Sequence, residues 1–358
     1  MAPQFQLPAE LKSAENYPGG HINDSYLITT EDAEAPRYLL QRLNADVFPR
    51  PDWIMDNIRR ISEHALAKRN GAGSVVEGCF LNLLPTKSDE PYMRCPNRDV
   101  WRLYEFIEGS MMRESAATPQ EAEQAGYAFG EFQVLLADLP GPALHDIIPD
   151  FHHTPKRLQA LAQAAAEDSH SRADSVQPEL EFVGRFASQG ALIMEGMESG
   201  RIANRPVHND AKMSNVLLDA NSGKRLCVID LDTVMPGSVL YDFGDMMRTM
   251  LCGAPEDETD LSKVRVDLEM FEALASGYLA GAAPILNQDE REMLVFSGIL
   301  ITMETGSRFL TDHLQGDQYF RIHRPNQNLD RARCQFQLAQ SMMDHRSKLE
   351  ELLFASKR

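Results

Sequence analysis

Cations are scarce in this sequence: 35 Lys and Arg stand against 53 Asp and Glu, which leaves a formal net charge of −18. A field of this sign repels a polyanion as a whole, so it argues against a nucleic-acid partner. It does not exclude a nucleotide site, because a metal ion and a few local cations can offset the phosphate charges there.

Long apolar runs are also missing. No stretch approaches the ~18 residues of a membrane-spanning helix, and the most apolar piece, 293–303, is interrupted and predicts a core helix. Residues 1–10 lack the basic and apolar pattern of a secretory signal. We therefore expect no membrane partner and a cytoplasmic location.

Cysteine is sparse and carries no motif. The five cysteines are odd in number, widely spaced and without a C-x-x-C pair, which favours reduced thiols over a disulfide framework or a zinc site. No internal repeat or low-complexity segment is present.

With 358 residues, the chain exceeds one core of ordinary size, so we expect two lobes. The first ~105 residues read as β-rich with one helix. Strands are predicted at 26–30, 38–43, 75–84 and 99–107, with a helix over 51–69 and a glycine-bearing turn at 17–25.

The remainder reads as mainly helical, which makes the predicted class α+β. Helices are predicted over 118–139, 154–166, 180–199 and from 257 onward, with a loop at 316–328. Short strands and loops are predicted at 205–234.

Two neighbouring segments carry the clearest chemistry. Segment 207–219 contains Asp210 and Asn215, and the apolar segment 226–232 ends in Asp230 and Asp232. If the two segments form a hairpin about the turn 221–224, Asn215 and Asp230 come close together. Carboxylate and amide oxygens suit Mg²⁺, and Asp210 can then face an acceptor hydroxyl at a terminal phosphate. The alternative is an acidic turn without chemistry.

The His-x-Asp-x-x-x-x-Asn spacing over 208–215 resembles the catalytic loop of protein kinases and, more closely, of aminoglycoside phosphotransferases and choline kinases. The Ile-Asp-x-Asp element resembles their metal-binding strand. This resemblance implies a protein-kinase-like, two-lobed fold, with a β-rich N-lobe over 1–107 and a helical C-lobe over 108–358. It also implies ATP and Mg²⁺ as cofactors.

More specifically, several segments look like those of N-acetylhexosamine 1-kinases, a group within the same family. These segments are 20–25, 40–44, 148–152, 208–212, 227–237, 241–245 and 308–312. The resemblance implies transfer of phosphate from ATP to the anomeric hydroxyl of a small sugar, N-acetylglucosamine or N-acetylgalactosamine. One departure is Ser25, where close relatives are expected to carry Thr.

The resemblance implies a role for each matching residue. Asp210 would be catalytic and touch the sugar, with further sugar contacts from His21, Asp24, Arg308 and Tyr319. Asn215, Asp230 and Asp232 would bind metal, and His208 and Asp242 would support the loop. The nucleotide would be bound by Gly20, Ile22, Asn23, Ser25, Arg42, Glu105, Phe106 and Ile107.

The glycine turn lacks a full G-x-G-x-x-G, and neither strand of the following hairpin contains Lys. Arg42 is the only cation within the second strand. The resemblance would make it the phosphate clamp, with Glu63 as its candidate partner.

Several alternatives stay open. Arg308 could pair with Glu304 one turn earlier, and Tyr319 could pack on the core. His152 and His153 are not expected to bind metal, since no third ligand is apparent. The acceptor could be another sugar, an aminoglycoside or an amino alcohol, although Arg308 opposes a polycation.

A non-catalytic nucleotide-binding regulator is expected to lack Asp210, Asn215 or Asp230, and all three are present. A protein kinase would carry Asp-Phe-Gly on the metal strand, where this chain has Asp230-Leu231-Asp232. We expect a monomer or weak homodimer.

Overall fold

The computed structural model describes residues 1–17, 23–44, 48–70, 81–96 and 99–355. The chain divides into two compact units. The first comprises Met1–Met112, Asp138–Ile147 and Val216–Met235, and the second comprises Arg113–Ala137, Ile148–Asn215 and Pro236–Arg358. The predicted division at residue 107 differs from these units, because the segments Asp138–Ile147 and Val216–Met235 also belong to the first unit.

An antiparallel sheet organises the first unit. Its strands are β1 (Leu11–Asn16), β2 (Asp24–Thr30), β3 (Tyr38–Leu43), β4 (Leu83–Leu84), β5 (Met93–Arg94) and β6 (Val100–Glu105). The order is β1-β2-β3-β6-β4, and β5 also pairs with β6. The predicted hairpin and the strand before residue 107 are thus confirmed. Most of the predicted strand 75–84 lies outside the described residues.

The two faces of this sheet differ in chemistry. One face packs Ile28, Leu40 and Leu103 against Ala2 and Phe5 of the N-terminal segment. Because side chains alternate along a strand, every second residue of β2, β3 and β6 points to the other face of the sheet. There Ser25, Gln41 and Arg102 lie side by side, as the pairs Ser25–Gln41 and Gln41–Arg102 in the strand register show.

The rest of the first unit adds a helix and a small sheet. Helix α1 (Pro51–Asn70) confirms the helix predicted over 51–69. Strands β7 (Ser110–Met111), β9 (Val216–Asp219) and β10 (Arg225–Val228) form a sheet in the order β10-β9-β7. Strands β9 and β10 form the hairpin that the sequence analysis considered, with Val216 paired with Val228.

Helices dominate the second unit. They are α2 (Pro119–Leu136), α3 (Thr154–Glu167), α4 (Gln177–Phe186), α5 (Leu192–Glu198), α6 (Val239–Met250), α7 (Leu268–Ala282), α8 (Gln288–Leu314), α9 (Gln327–Asp344) and α10 (Arg346–Ala355). Strand β8 (Arg205–Val207) pairs with β11 (Met235–Gly237). The predicted α+β class is confirmed.

Helix α8 is the central helix of this unit and packs against α3, α6 and α9. It has the length and the mean hydropathy, 1.2, of a membrane span, but 83% of its most apolar window is buried inside the protein. This agrees with the core helix predicted around 293–303.

Two predictions about helices were wrong or incomplete. The helix predicted over 180–199 is two helices, α4 and α5, separated by a short 3₁₀ turn. Helix α6 was not predicted, although its polar residues Asp242, Asp245, Arg248 and Thr249 recur at helical spacing. Its Gly244 is required by packing: a Cβ there would lie 2.5 Å from the Ser297 carbonyl oxygen of α8.

Candidate active site

Asp210 lies in the loop that follows β8 and is bonded on two sides. The amide nitrogen of Asn215 donates to its backbone carbonyl at 2.8 Å and to its carboxylate at 3.1 Å. The Lys212 ammonium lies 2.9 Å from Oδ2. Both hydrogen bonds use Nδ2 of Asn215. The Oδ1 atom of the same amide is therefore the atom that could bind a metal ion.

The carboxyl group of Asp210 is ionised at neutral pH. Burial alone would raise its pKa, but the charge and hydrogen bond of Lys212, with smaller contributions from His208 and Asn215, lower the pKa below its ordinary value. The side chain is still 29% exposed, so it can reach a ligand. Sequence reasoning did not assign Lys212, although its Asp-x-Lys spacing is visible.

Asp242 of α6 holds the backbone of this loop. Its buried carboxylate accepts the N–H groups of His208 at 2.9 Å and Asn209 at 2.7 Å, and the side-chain amide of Gln133 at 2.8 Å. Burial raises the pKa of Asp242, against the charge of His208 and these hydrogen bonds. The His208 ring packs edge-on against Phe129, with centroids 5.3 Å apart. This is the geometry expected of a support for the loop.

Asp230 and Asp232 follow strand β10 in the first unit. Asp230 has φ +58°, in the left-handed region that is strained for a residue with a Cβ. Asp232 is buried, and its two oxygens accept hydrogen bonds from Arg102 and from the Asn23 side chain at 2.7 Å. The metal role predicted for Asp232 therefore competes with an ion pair that engages both oxygens.

Arg102 was missed by sequence reasoning. It lies inside β6, is 1% exposed, and donates to Gln41 Oε1 as well as to Asp232. Burial alone would lower the pKa of Arg102, but the charge of Asp232 outweighs it and raises the pKa above the ordinary value. A lone arginine between the apolar residues of a strand was the available signal.

The partner predicted for Arg42 was wrong. Arg42 pairs with Asp24, its neighbour in the strand register, and lies 3.7 Å from Asp99. Glu63 pairs instead with Arg59, one turn away on α1. Arg42 and Asp24 also lie on the sheet face opposite Arg102, since Arg42 is the strand partner of Trp101. The nucleotide and sugar roles predicted for these two residues remain untested, and neither is supported by this position.

The predicted nucleotide loop is described in part. Gly20, His21 and Ile22 lie outside the described residues. The side-chain amide of Asn23 donates a hydrogen bond to Asp232, and its oxygen accepts one from the backbone N–H of Asn44 at 3.0 Å. Ser25 is buried in β2, where its hydroxyl accepts from Gln41 at 3.1 Å.

Strand β6 ends at Glu105, two residues before the predicted end at residue 107, and Phe106 and Ile107 follow it. The N–H of Glu105 donates to Asn82 at 2.9 Å and that of Phe106 donates to Arg37 at 2.8 Å. These two donors are therefore used within the protein. A base bound at this segment would use the N–H of Ile107 or the carbonyl oxygens.

Arg308 lies on α8 between two aromatic rings. Its guanidinium is 5.9 Å from the Phe151 centroid and 5.5 Å from the Phe320 centroid. It makes no ion pair with Glu304 within the described part of the chain, so that alternative is not observed. Tyr319 is 74% exposed, which excludes packing on the core.

Arg157 accompanies Arg308, and sequence reasoning did not find it. Its Nη2 donates to the Phe151 carbonyl at 3.1 Å, and its buried Nε has no hydrogen-bond partner among the described residues. Burial and then the charge of Arg308 lower the pKa of Arg157, so the two cations are close enough to repel each other. Neither has a carboxylate at ion-pair distance in the described ranges.

Asp312 fixes the loop that presents Tyr319. Its buried carboxylate accepts the backbone N–H groups of Gln318 at 2.9 Å, Tyr319 at 2.8 Å and Phe320 at 2.9 Å. The Asn328 side chain donates to the same carboxylate at 2.9 Å. The position of the exposed phenol is thus set by a buried acid one turn after Arg308.

No group of three or more His, Cys, Asp or Glu side chains within the described ranges is arranged to hold a metal ion by itself. Asn215 and Asp230, the two residues that remain as predicted metal ligands, offer an amide oxygen and a carboxylate. Two such ligands suit Mg²⁺, which retains water and phosphate oxygens. The donor set therefore fits a nucleotide-bound Mg²⁺ rather than a closed metal cage.

A model of a phosphotransferase enzyme family, APH, matches residues 13–278, which is most of the chain. The chain belongs to this family. It is therefore a small-molecule phosphotransferase, and ATP with a divalent metal is the cofactor pair of its family.

Three solved structures resemble this phosphotransferase over nearly its whole length. A microcompartment-associated aminopropanol kinase is 15% identical, with 98% of this chain and 96% of that chain covered and a TM-score of 0.61. An aminoglycoside phosphotransferase from Alicyclobacillus acidocaldarius is 14% identical, with 99% and 95% covered and a TM-score of 0.62. An amicoumacin kinase in complex with AMP-PNP, Ca²⁺ and Ami is 12% identical, with 96% and 91% covered and a TM-score of 0.58.

At these identities the likeness shows the fold alone. It confirms the kinase-like α+β fold predicted from the sequence. It leaves the acceptor of this phosphotransferase to be argued from its own residues.

Proposed function

We propose that this phosphotransferase is an N-acetylhexosamine 1-kinase, which transfers the terminal phosphate of ATP to the anomeric hydroxyl of N-acetylglucosamine or N-acetylgalactosamine. The observation that carries the proposal is the pair Arg157 and Arg308 in the unit that contains Asp210. Neither has a carboxylate at ion-pair distance among the described residues, and Arg308 lies between the rings of Phe151 and Phe320.

This pair favours an oxygen-rich acceptor without positive charge. A guanidinium presents several N–H donors in a fixed plane, which suits hydroxyl and amide carbonyl oxygens. An aminoglycoside or amino alcohol carries ammonium groups, which the two guanidiniums would repel at short range. The rings of Phe151 and Phe320 add apolar surface of the kind that stacks on a sugar face.

Asp210 would orient the acceptor hydroxyl and receive its proton. As the acceptor oxygen bonds to the terminal phosphorus, the bond from phosphorus to the bridging oxygen of ADP breaks, and the hydroxyl proton passes to the carboxylate. The lowered pKa of Asp210 makes it a weak base. Its main contribution is therefore positioning, which suits a transfer that needs little nucleophile activation.

Asn215 and Asp230 are the proposed metal ligands. Val216, which directly follows Asn215, pairs with Val228, and Asp230 comes two residues after Val228. This register supports the proposal. The divalent ion, when bound, would neutralise charge on the phosphates.

The nucleotide is proposed to bind the first unit at Ile107 and the segment before β2. A cytoplasmic location and a monomer or weak homodimer remain part of the proposal. They rest on the sequence expectations alone.

An ATP-consumption screen tests the acceptor class. It compares N-acetylglucosamine, N-acetylgalactosamine, glucosamine, other free sugars, aminoglycosides and amino alcohols at equal concentration. We expect turnover with the N-acetylated sugars. We expect little with glucosamine, because it carries a positively charged ammonium group where these sugars carry a neutral acetamido group. Preference for a cationic acceptor would overturn the proposal, and ATP binding without turnover of any acceptor would favour a non-catalytic regulator.

A further inference from the structure

His152 connects the long helix α8 to the loop that carries Asp210. Its Nδ1 lies 3.0 Å from Oε1 of Glu304, and its Nε2 lies 3.3 Å from the carbonyl oxygen of Asn209. The His152 side chain is 8% exposed and that of Glu304 is 1% exposed. Both contacts are therefore shielded from water.

Hydrogen-bond chemistry defines the form of His152 that fits this position. A carbonyl oxygen only accepts, so Nε2 carries a hydrogen. Burial alone would raise the pKa of Glu304, but the hydrogen bonds of His152 and Thr154 and the charges of His152 and Arg308 lower it. The ionised carboxylate faces Nδ1, so both ring nitrogens of His152 face acceptor oxygens.

The backbone of Asn209, which His152 contacts, is hydrogen-bonded through both its N–H and its carbonyl group. Asn209 has φ +63°, a strained conformation for a residue with a Cβ. Its N–H donates to Asp242 at 2.7 Å, while its carbonyl faces His152. Tyr241, the residue before Asp242 on α6, stacks on the His152 ring with centroids 4.8 Å apart.

We propose that His152 and Glu304 are positioning residues that hold the Asn209 carbonyl and so fix the direction of the Asp210 side chain. The inference rests on the proposed role of Asp210. Without the pair, the Asn209 carbonyl loses this contact, and we expect the Asp210 side chain to be directed less well towards the acceptor hydroxyl. The pair acts through the loop and does not touch the substrate.

A purely structural ion pair between α8 and the segment before α3 would look similar, so the test needs a matched control. Glu290, on the same helix, is also fully buried and pairs with Arg205 at 2.8 Å. It lies fourteen residues from Glu304, about 21 Å along the helix axis. Glu290→Gln therefore removes a comparable buried charge whose partner is the first residue of β8 rather than a residue of the loop after it.

The first readout is steady-state kinetics with any acceptor that the wild type turns over. In His152→Gln the amide nitrogen replaces Nε2 and still reaches the Asn209 carbonyl, whereas in His152→Asn it replaces Nδ1 and does not. We expect His152→Asn and Glu304→Gln to lower kcat ~10–100-fold with KM values changed less than ~3-fold, since small misplacements at a reacting centre cost this much. His152→Gln should retain several-fold more activity than His152→Asn, and Glu290→Gln should keep wild-type kcat.

The second readout is amide hydrogen exchange over 207–215, which needs no acceptor and is independent of the sugar assignment. We expect faster exchange in His152→Asn and Glu304→Gln than in Glu290→Gln at equal thermal stability. Exchange equal to wild type in this segment, or equal kcat in the two His152 variants, would overturn the positioning role.

Discussion

Arg102 and Asp232 form a buried ion pair within the first unit, with Nη2 of the guanidinium 3.1 Å from Oδ2 of the carboxylate and both side chains 2% exposed. Gln41 and Asn23 complete the hydrogen bonds of the pair. A buried pair with satisfied hydrogen bonds is weak evidence for net stability, but loss of one partner leaves a charge without compensation. The two carboxylates after β10 therefore differ in role. Asp232 is bound by Arg102 and Asn23 of the first unit, and Asp230 remains the candidate metal ligand.

Replacing one partner of this pair should be costly and replacing both should not. We expect Arg102→Met or Asp232→Leu alone to lower the free energy of unfolding by about 3–5 kcal/mol. The double variant should recover most of that loss, because no uncompensated charge remains. Chemical denaturation followed by circular dichroism measures all three. Additive losses in the double variant would contradict the pairing.

The two carboxylates should differ in nucleotide binding. Asp230→Asn should weaken Mg²⁺-dependent binding of ATP ~10-fold or more, since even residues behind a metal ligand affect metal affinity to this extent. Asp232→Asn should lower stability instead, with a smaller effect on binding in variant protein that remains folded. Calorimetric titration of Mg²⁺-ATP distinguishes them. Unchanged affinity in Asp230→Asn would remove Asp230 from the metal site.

Asp210 should be needed for turnover and not for nucleotide binding. Asp210→Asn keeps the shape and the contact with Asn215 but removes the negative charge, so we expect kcat to fall ~10²–10⁴-fold. Affinity for Mg²⁺-ATP should stay near wild type, measured by the same calorimetry. Activity above ~10% of wild type would show that another group positions the acceptor.

The two guanidiniums should act on the acceptor and not on ATP. Arg308→Ala and Arg157→Ala should each raise KM for the acceptor by ~10-fold or more, the effect of losing a charged hydrogen-bond donor. KM for ATP should change less. Arg185→Ala is the matched control, since Arg185 also lies over an aromatic ring of the same unit, 5.5 Å from the Phe182 centroid. Equal increases in both KM values would place the arginines outside the acceptor site.

Glu304 should make stability depend on acid pH. Its pKa is lower in the folded protein than the ordinary 4.5, so the unfolded chain binds the proton first as pH falls. The contribution of Glu304 is present above about pH 4.5 and is lost as pH falls towards its lowered folded value. Denaturation curves from pH 3 to 7, ~0.5 units apart, should show a shallower acid slope for Glu304→Gln than for wild type. Equal slopes for wild type and variant would mean that Glu304 has the same pKa in the folded and the unfolded protein.

Local patterns predicted many elements of the fold. The β2–β3 hairpin and helix α1 have strong periodicity and were found near their true bounds. The Thr118 cap of α2 was also visible, and its hydroxyl accepts the Glu121 N–H at 3.2 Å. Strand β1 escaped prediction because almost all of it is exposed, so its residues show no alternation of polar and apolar side chains.

The site was predictable where its residues are close in sequence. The spacing of Asp210, Asn215 and Asp230 identified the family's chemistry. Arg102 and Asp232 are 130 residues apart, and His152 and Glu304 are 152 apart, so only the fold reveals these pairs. The predicted pairing of Arg42 with Glu63 was wrong because the strand register places Arg42 beside Asp24.

The central claim is that phosphate is transferred to the anomeric oxygen of an N-acetylhexosamine. Phosphorus and proton NMR of the product formed from ATP and N-acetylglucosamine tests it most directly. We predict one sugar phosphate whose phosphorus couples to the anomeric proton. A phosphorus signal coupled to the protons at C6 or another ring position, or no sugar phosphate under conditions where a cationic acceptor is phosphorylated, would contradict the claim.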